Sequence, residues 1–211
     1  MRIVELASFD ITAMRKVAKI LKVRLTELGA NVKIVEPGDC ILNQAIRLIK
    51  TYASIPIDRN TMLYLDAARE HQNTVENVQP HKGEDILIIK LGSFTFDNIS
   101  RFNNVEFKRK VTKYIIPRIH GFTPELILYL LPDMQEFIKR RIKTNNKYRV
   151  EFNLKGAAAK SIAKRVPKVL DFIKKRFKIN TGIINMGEAA EGSACDAIVE
   201  ILIQEGIITR R

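Results

Sequence analysis

The stretch IVELASFDITA, residues 3–13, decides the fold class because a short apolar run passes within a few residues into a long amphipathic pattern. Residues 3–6 are typical of a buried strand. The pattern that follows predicts a helix over residues 12–28 with Gly29 as its stop. Its apolar side chains recur at steps of three and four: Met14, Val17, Ala18, Leu21, Leu25 and Leu28.

The same alternation of strand and helix continues along the chain. Further strands are predicted at residues 31–35, 86–89, 126–130 and 181–184. Helices are predicted near residues 41–52, 59–79, 104–116, 133–141, 154–177 and 194–205, and Asp58 and Asp133 are candidate N-caps. Continuous apolar strands joined by crossover helices favour a parallel sheet. The sequence therefore predicts an α/β protein: a single doubly wound domain over residues 1–211, with a five-stranded parallel sheet and helices on both faces.

Charge is distributed unevenly along the chain. There are 36 Lys and Arg residues against 23 Asp and Glu, a net charge of +13. Residues 1–105 hold 14 basic and 12 acidic residues, whereas residues 108–178 hold 20 basic and 5 acidic residues. Solvated helix faces and the surface networks of thermophilic proteins also carry many charges, but such networks pair the two signs. Because acidic residues do not match the basic ones here, the second half predicts a surface that binds an anionic partner.

Composition also bears on the compartment and on metal binding. A chain of 211 residues with 46% apolar content can bury one sizeable core. It has no apolar stretch of about 18 residues and no charged-then-apolar start, so we expect a cytoplasmic protein without a membrane partner. We expect reduced thiols and no metal because the cysteines and histidines form no cluster in the sequence. These residues are Cys40, Cys195, His71, His81 and His120.

Three stretches of the chain, taken in order, carry a family resemblance. The sequence Glu36-Pro37-Gly38 follows the second predicted strand, as a Glu-Pro-Gly element does in that family. Residues 58–72, DRNTMLYLDAAREHQ, are similar to the family's helix that carries an arginine for the thymidine nucleotide, and Arg69 falls at that position. Residues 124–130, PELILYL, followed by Asp133 and Arg140-Arg141, look like the fourth strand and the helix entering the lid. The stretches resemble thymidylate kinases, and the resemblance implies a thymidylate kinase-like fold, a lid-like segment at about 139–153 and a homodimer.

The chain departs from the family pattern at the phosphate-binding loop. Such a loop needs Gly-x-x-x-x-Gly-Lys-Ser/Thr, whose backbone N–H groups surround phosphates and whose lysine reaches the transferred group. Aligned on Glu5, the first and last glycines correspond to Leu6 and Ile11, the lysine to Thr12 and the hydroxyl to Ala13. Side chains at Leu6 and Ile11 block the close approach that glycine permits. Asp10 adds a negative charge at the helix start, which opposes phosphate binding there.

A second departure falls at the end of the third predicted strand. The family's Asp-Arg pair corresponds to Ile89-Lys90, so a carboxylate is replaced. Phosphoryl transfer depends on positioned cations, metal ions and an in-line acceptor, and several of these are absent together. We therefore predict no catalytic residues, no cofactor and no enzyme activity. The alternative is a nucleotide-binding protein or divergent thymidine monophosphate kinase, whose candidate residual pocket is Glu36, Arg69 and Lys90.

The basic residues of the second half form three segments that can contact phosphates without reading sequence. Tyr148 and Phe152 lie among them, and one of the two could stack on an unpaired base, although Phe152 precedes an amphipathic helix and is rather expected in the core. The predicted nucleic-acid-binding residues are Lys108, Arg109, Lys110, Lys113, Lys139, Arg140, Arg141, Lys143, Lys147, Tyr148, Arg149, Lys160, Lys164, Arg165 and Lys168. The third segment continues through Lys174, Lys175, Arg176 and Lys178.

The working hypothesis is a noncatalytic RNA-binding protein. It would be a structural component of an archaeal ribosomal subunit, in contact with ribosomal RNA and neighbouring ribosomal proteins, or of another ribonucleoprotein. Many Lys and Ile residues without any Trp favour a thermophilic source. RNA is preferred to DNA because the sequence has no helix-turn-helix, zinc-finger or basic-zipper pattern, and docking on folded RNA requires only shape and phosphate contacts.

Overall fold

The computed structural model describes residues 1–36, 39–52, 57–92, 123–135, 137, 156–186 and 190–209. Three of the predicted structural elements lie wholly or mostly outside these residues. They are the helix at residues 104–116, the lid-like segment at 139–153 and most of the helix that follows Asp133.

Five strands form one parallel sheet in the order β2-β3-β1-β4-β5. Residue pairs such as Glu5 and Lys90, or Leu6 and Leu128, are partners across neighbouring strands. The predicted five-stranded parallel sheet is therefore confirmed. The strands are β1 (Arg2–Ala7), β2 (Val32–Val35), β3 (Leu87–Leu91), β4 (Leu126–Pro132) and β5 (Asn180–Met186).

Five α-helices are described, and local sequence signals set several of their ends. Gly29, with φ +84°, follows the first helix as predicted. Asp58 caps the third helix, because its Oδ2 accepts a hydrogen bond from the Thr61 N–H at 3.1 Å. The helices are α1 (Ile11–Glu27), α2 (Leu42–Tyr52), α3 (Arg59–Asn77), α4 (Gly156–Phe177) and α5 (Ala190–Gln204), with a 3₁₀ turn at Gln79–His81.

The helices cover both faces of the sheet, as predicted. On one face α1 and α5 pack in the main core, with Leu21 and Ile198 against alternate strand residues such as Leu128. On the other face α4 contributes Ile173 to a second cluster around Tyr129. Coverage on both faces explains why β4 is a continuous apolar run and why β1 and β3 are largely apolar.

Several element ends differ from the sequence prediction. Strand β5 spans seven residues rather than four because its pairing with β4 runs from Asn180 to Met186, and pairing is a long-range property. Helix α3 ends at Asn77, two residues early, where the chain turns into the 3₁₀ segment that contains Pro80. Helix α5 begins at Ala190, four residues before the predicted start. The prediction missed its first turn because these residues lack apolar periodicity.

Two further properties concern the described part of the chain only. None of its helices combines the length and apolar character needed to cross a membrane. In the same residues, no group of three or more His, Cys, Asp or Glu side chains is arranged to hold a metal ion.

Candidate functional site

The sheet has a topological switch point between β1 and β3. These strands are neighbours, yet the chain continues from β1 to β2 at one side and from β3 to β4 at the other. In open α/β sheets, ligands bind beyond the carboxyl ends of the strands at such a point. The site is therefore formed by the turn after β1, the end of β3 and the neighbouring helix α3.

The turn after β1 contains only Ser8, Phe9 and Asp10 before α1 begins. Asp10 is the N-cap of α1, and its Oδ1 accepts a hydrogen bond from the Ala13 N–H at 3.0 Å. The Asp10 N–H donates to Ser8 Oγ at 3.1 Å. A helix N-terminus attracts anions through its unpaired N–H groups and its dipole. Here the carboxylate of Asp10 already occupies that position.

Phe9 anchors this turn in the core. Its ring lies 5.0 Å from the ring of Phe137 in an edge-to-face arrangement and 6.5 Å from that of Tyr129. Leu6 is fully buried within β1. The turn is therefore held between the two apolar clusters of the sheet, and the buried Leu6 side chain stands where a phosphate-binding loop has its first glycine.

A buried ion-pair cluster lies at the ends of β1 and β3. Lys90 is 3% exposed, and it forms ion pairs with Glu70 of α3 and, at 4.0 Å between Nζ and Oε1, with Glu5 of β1. Burial alone would lower the pKa of Lys90, but the charges of Glu70 and then Glu5 outweigh it, so its pKa is raised above the ordinary value. Lys90 is therefore a charged residue whose charge is neutralised from within the protein.

The other two residues of the candidate residual pocket also have partners. Glu36 forms an ion pair with Arg15 of α1, at 2.7 Å between Oε2 and Nη2. The backbone carbonyl of Glu36 accepts a hydrogen bond from Asn73 Nδ2 at 2.9 Å. Arg69 pairs with Asp66 on the preceding turn of α3, at 3.3 Å between Nη2 and Oδ1. Pro37 and Gly38 lie outside the described residues. Helix α3 thus connects all three predicted pocket residues, directly or through a neighbour.

Sequence reasoning did not select Glu5, Glu70 or Asn73, although all three are buried here. A signal was present in α3. Polar residues recur there at steps of four, three and four, and their spacing places them on one helix face: Asp66, Glu70, Asn73 and Asn77. Glu5 interrupts an apolar strand, and only the strand register reveals that it lies opposite Lys90.

The second candidate site is the basic surface of α4. The structure brings Lys160, Lys164, Arg165 and Lys168 together on this one helix, where all four are exposed. They lie across from the buried side chains Val166, Val169 and Ile173. The remaining predicted nucleic-acid-binding residues lie outside the described part of the chain: Lys108, Arg109, Lys110, Lys113, Lys139, Arg140, Arg141, Lys143, Lys147, Tyr148 and Arg149.

Comparison with known proteins identifies the fold. The structure is similar to a thymidylate kinase from Ehrlichia chaffeensis, with a TM-score of 0.61 and 12% sequence identity, over 95% of this chain and 98% of that one. No protein-family model matches the chain, and no curated protein matches it in sequence. The predicted resemblance is thus confirmed at the level of structure, and the chain has a thymidylate kinase-like fold.

Proposed function

We propose that this chain is a noncatalytic RNA-binding protein that uses a thymidylate kinase-like fold as its scaffold. The observation that carries the proposal is the exposed basic face of α4. This helix holds seven Lys and Arg residues and a single acidic residue, Asp171. Exposed cations at this density attract the phosphate backbone regardless of sequence.

The charges elsewhere support the choice of α4. In the first half of the chain, cations such as Arg15, Arg69 and Lys90 each lie against a carboxylate. On α4, Lys175 is paired with Asp171 at 2.9 Å, and Asp171 is the one acidic residue of this helix. An excess of one sign on one surface favours an external partner of the opposite sign. The finer proposal is a structural role in an archaeal-type ribosomal subunit or another stable ribonucleoprotein.

The switch point supports a noncatalytic role. A nucleoside triphosphate with its magnesium ion needs free N–H groups, a lysine and a hydroxyl at the start of α1. The residues at those positions do not fit, because Asp10 caps the helix, Thr12 replaces the lysine and Ala13 is a buried apolar residue. Lys90, the one cation at the end of β3, is neutralised by Glu70 and Glu5.

The experiment is a salt titration of RNA binding by the purified protein. A labelled oligouridylate serves as probe, and binding is followed by fluorescence anisotropy. We expect log K to fall linearly with log salt concentration, since bound phosphates release counterions. Affinity too weak to measure at low salt, for both this probe and a folded ribosomal RNA fragment, would exclude the proposed function.

The second candidate is a nucleotide-binding protein or a divergent thymidine monophosphate kinase. It is favoured by the fold and by the position of Glu36, Arg69 and Lys90 around α3. The test is phosphorylation of thymidine monophosphate with ATP and magnesium, together with calorimetric titration of the monophosphate. Turnover would replace the RNA-binding proposal with this one, and heat of binding without turnover would show a retained acceptor pocket.

Self-association is a separate proposal that the fold resemblance first raised. Helix α2 exposes a stripe of apolar side chains at helical spacing, and Tyr64 of α3 is also exposed. This stripe lies in the half of the chain with nearly balanced charge, where repulsion between copies is weakest. Sedimentation equilibrium of the wild type and of Leu48→Glu tests it, and a monomer in both cases would exclude the dimer. The stripe consists of Leu48, Ile49 and Tyr52, and Ile41 is exposed just before the helix begins.

A further inference from the structure

Helix α4 exposes an aromatic ring in the middle of its basic face. Phe172 is 37% exposed, whereas its neighbour Ile173 is buried. Residues seven and four positions before it and three and four positions after it share its face of an α-helix. Those four positions hold cations, namely Arg165, Lys168, Lys175 and Arg176. Lys175 is paired with Asp171, and Val169, three positions before Phe172, marks the buried edge of this face.

The side of α4 that faces the sheet is formed by residues other than Phe172. Val166, Val169 and Ile173 are buried toward the sheet and already form the apolar side of α4. Phe172 is not part of this cluster, and more than a third of its surface is exposed to solvent. A flat ring between cations has a different use, because base–aromatic stacking adds to phosphate attraction.

The spacing fits a nucleotide chain. Lys168 and Arg176 lie four residues to either side of Phe172, which corresponds to about 6 Å along the helix axis in each direction. Both side chains are long and exposed, so they can reach backbone phosphates on either side of a base that rests on the ring. Duplex RNA keeps its bases stacked on each other, whereas single-stranded segments can place a base on an aromatic side chain.

We propose that Phe172 is a stacking platform for an unpaired base, and that Lys168 and Arg176 hold the flanking phosphates. The occupant is a single-stranded segment of RNA, chosen by charge complementarity and by the exposed ring. The inference rests on the proposed RNA-binding function and narrows it from a general phosphate-binding surface to a site for unpaired nucleotides.

The test compares Phe172→Leu with Phe172→Tyr in the full chain. Leucine keeps an apolar side chain but removes the aromatic face, whereas tyrosine keeps the ring. Binding is measured with a labelled oligouridylate and with a blunt RNA duplex of the same length, at several salt concentrations. Val23→Ala, at an exposed apolar position of α1, is the matched control.

We expect Phe172→Leu to weaken binding of the single strand by about tenfold, which is within the range for loss of one stacked base. Duplex affinity and the slope against salt should remain unchanged, because every phosphate-binding cation is still present. Phe172→Tyr should retain most of the affinity, and Val23→Ala should bind like the wild type.

The outcomes separate this inference from the function on which it rests. If the wild type binds RNA and Phe172→Leu binds the single strand equally well, the stacking platform is overturned and the RNA-binding proposal stands. Equal weakening of single strand and duplex by Phe172→Leu would also overturn it, because the ring would then act through the helix rather than through a base. Wild-type protein that binds anionic lipid vesicles but neither RNA probe would overturn both proposals.

Discussion

The switch point and the outer face of α4 contain the same kind of side chain in opposite surroundings. Lys90 at the switch point is buried, and Glu70 and Glu5 neutralise it. Lys168 on α4 is exposed among cations, and its helix has one acidic residue. The first arrangement pairs the charge within the protein, whereas the second leaves positive charge exposed to solvent. A binding surface should therefore be inferred from the exposed basic residues, and those paired within the protein should be left out of the count.

The largest effect is expected where the internal pairing is broken. Lys90→Met should lower the free energy of unfolding by about 3–5 kcal/mol, because Glu70 and Glu5 would remain buried without their cation. Urea denaturation followed by circular dichroism measures it. The double variant Lys90→Met with Glu70→Leu should recover part of the loss. A change under about 1 kcal/mol in the single variant would show that water reaches this cluster.

The pH dependence of the stability difference between wild type and Lys90→Met sharpens the comparison. The pKa of Lys90 is raised in the folded protein, so its stabilising contribution is fully present below the ordinary lysine pKa of about 10.4. It should be lost only as pH rises through the raised folded value. The stability gap between wild type and Lys90→Met should thus stay constant from neutral pH to about pH 10 and narrow above it. A gap that already narrows near pH 8 would contradict the raised pKa.

On α4, the removal of charge should affect binding and leave stability almost unchanged. Lys164→Gln combined with Lys168→Gln should weaken oligouridylate binding on the order of tenfold. The slope of log K against log salt should become shallower by roughly 0.7 for each phosphate that the variant no longer neutralises. The control is Lys19→Gln with Lys22→Gln, which removes the same charge from exposed positions of α1. Equal weakening in the two double variants would indicate a net-charge effect without a defined surface.

A smaller effect is expected at the start of α1. Asp10→Ala should cost about 1 kcal/mol in thermal or urea unfolding, because the Ala13 N–H loses its capping acceptor. Asp10→Asn should be nearly neutral, since asparagine caps as well. If Asp10→Ala instead raised affinity for ATP or inorganic phosphate substantially, the helix start would be a latent anion site that the carboxylate blocks.

The smallest effect is expected at the pocket residue with a local partner. Arg69→Ala removes a partly exposed pair with Asp66 within one helix, so the free energy of unfolding should change by less than about 1 kcal/mol. Calorimetric titration of the same variant with thymidine monophosphate shows whether Arg69 also contributes to nucleotide binding. Identical heats for wild type and variant would assign Arg69 a structural role only.

Local patterns predicted most of the fold. The apolar run of β1, the periodicity of α1 and the stop at Gly29 are signals within a few residues, and the structure follows them. The length of β5 and the opposition of Glu5 to Lys90 depend on strand register, which joins residues far apart in sequence. The exposed face of α4 was visible in its charge pattern, but the exposure of Phe172 required the packing of Val166 and Ile173 against the sheet.

Sedimentation of native cell extract through gradients at low and high salt tests the central claim most directly. The protein is followed by mass spectrometry across the fractions. A noncatalytic RNA-binding role in a stable ribonucleoprotein predicts co-migration with a ribosomal subunit or another large RNA-containing particle, persisting in moderate salt and abolished by ribonuclease. Recovery only in the light fractions at both salt concentrations, unaffected by ribonuclease, would contradict the account.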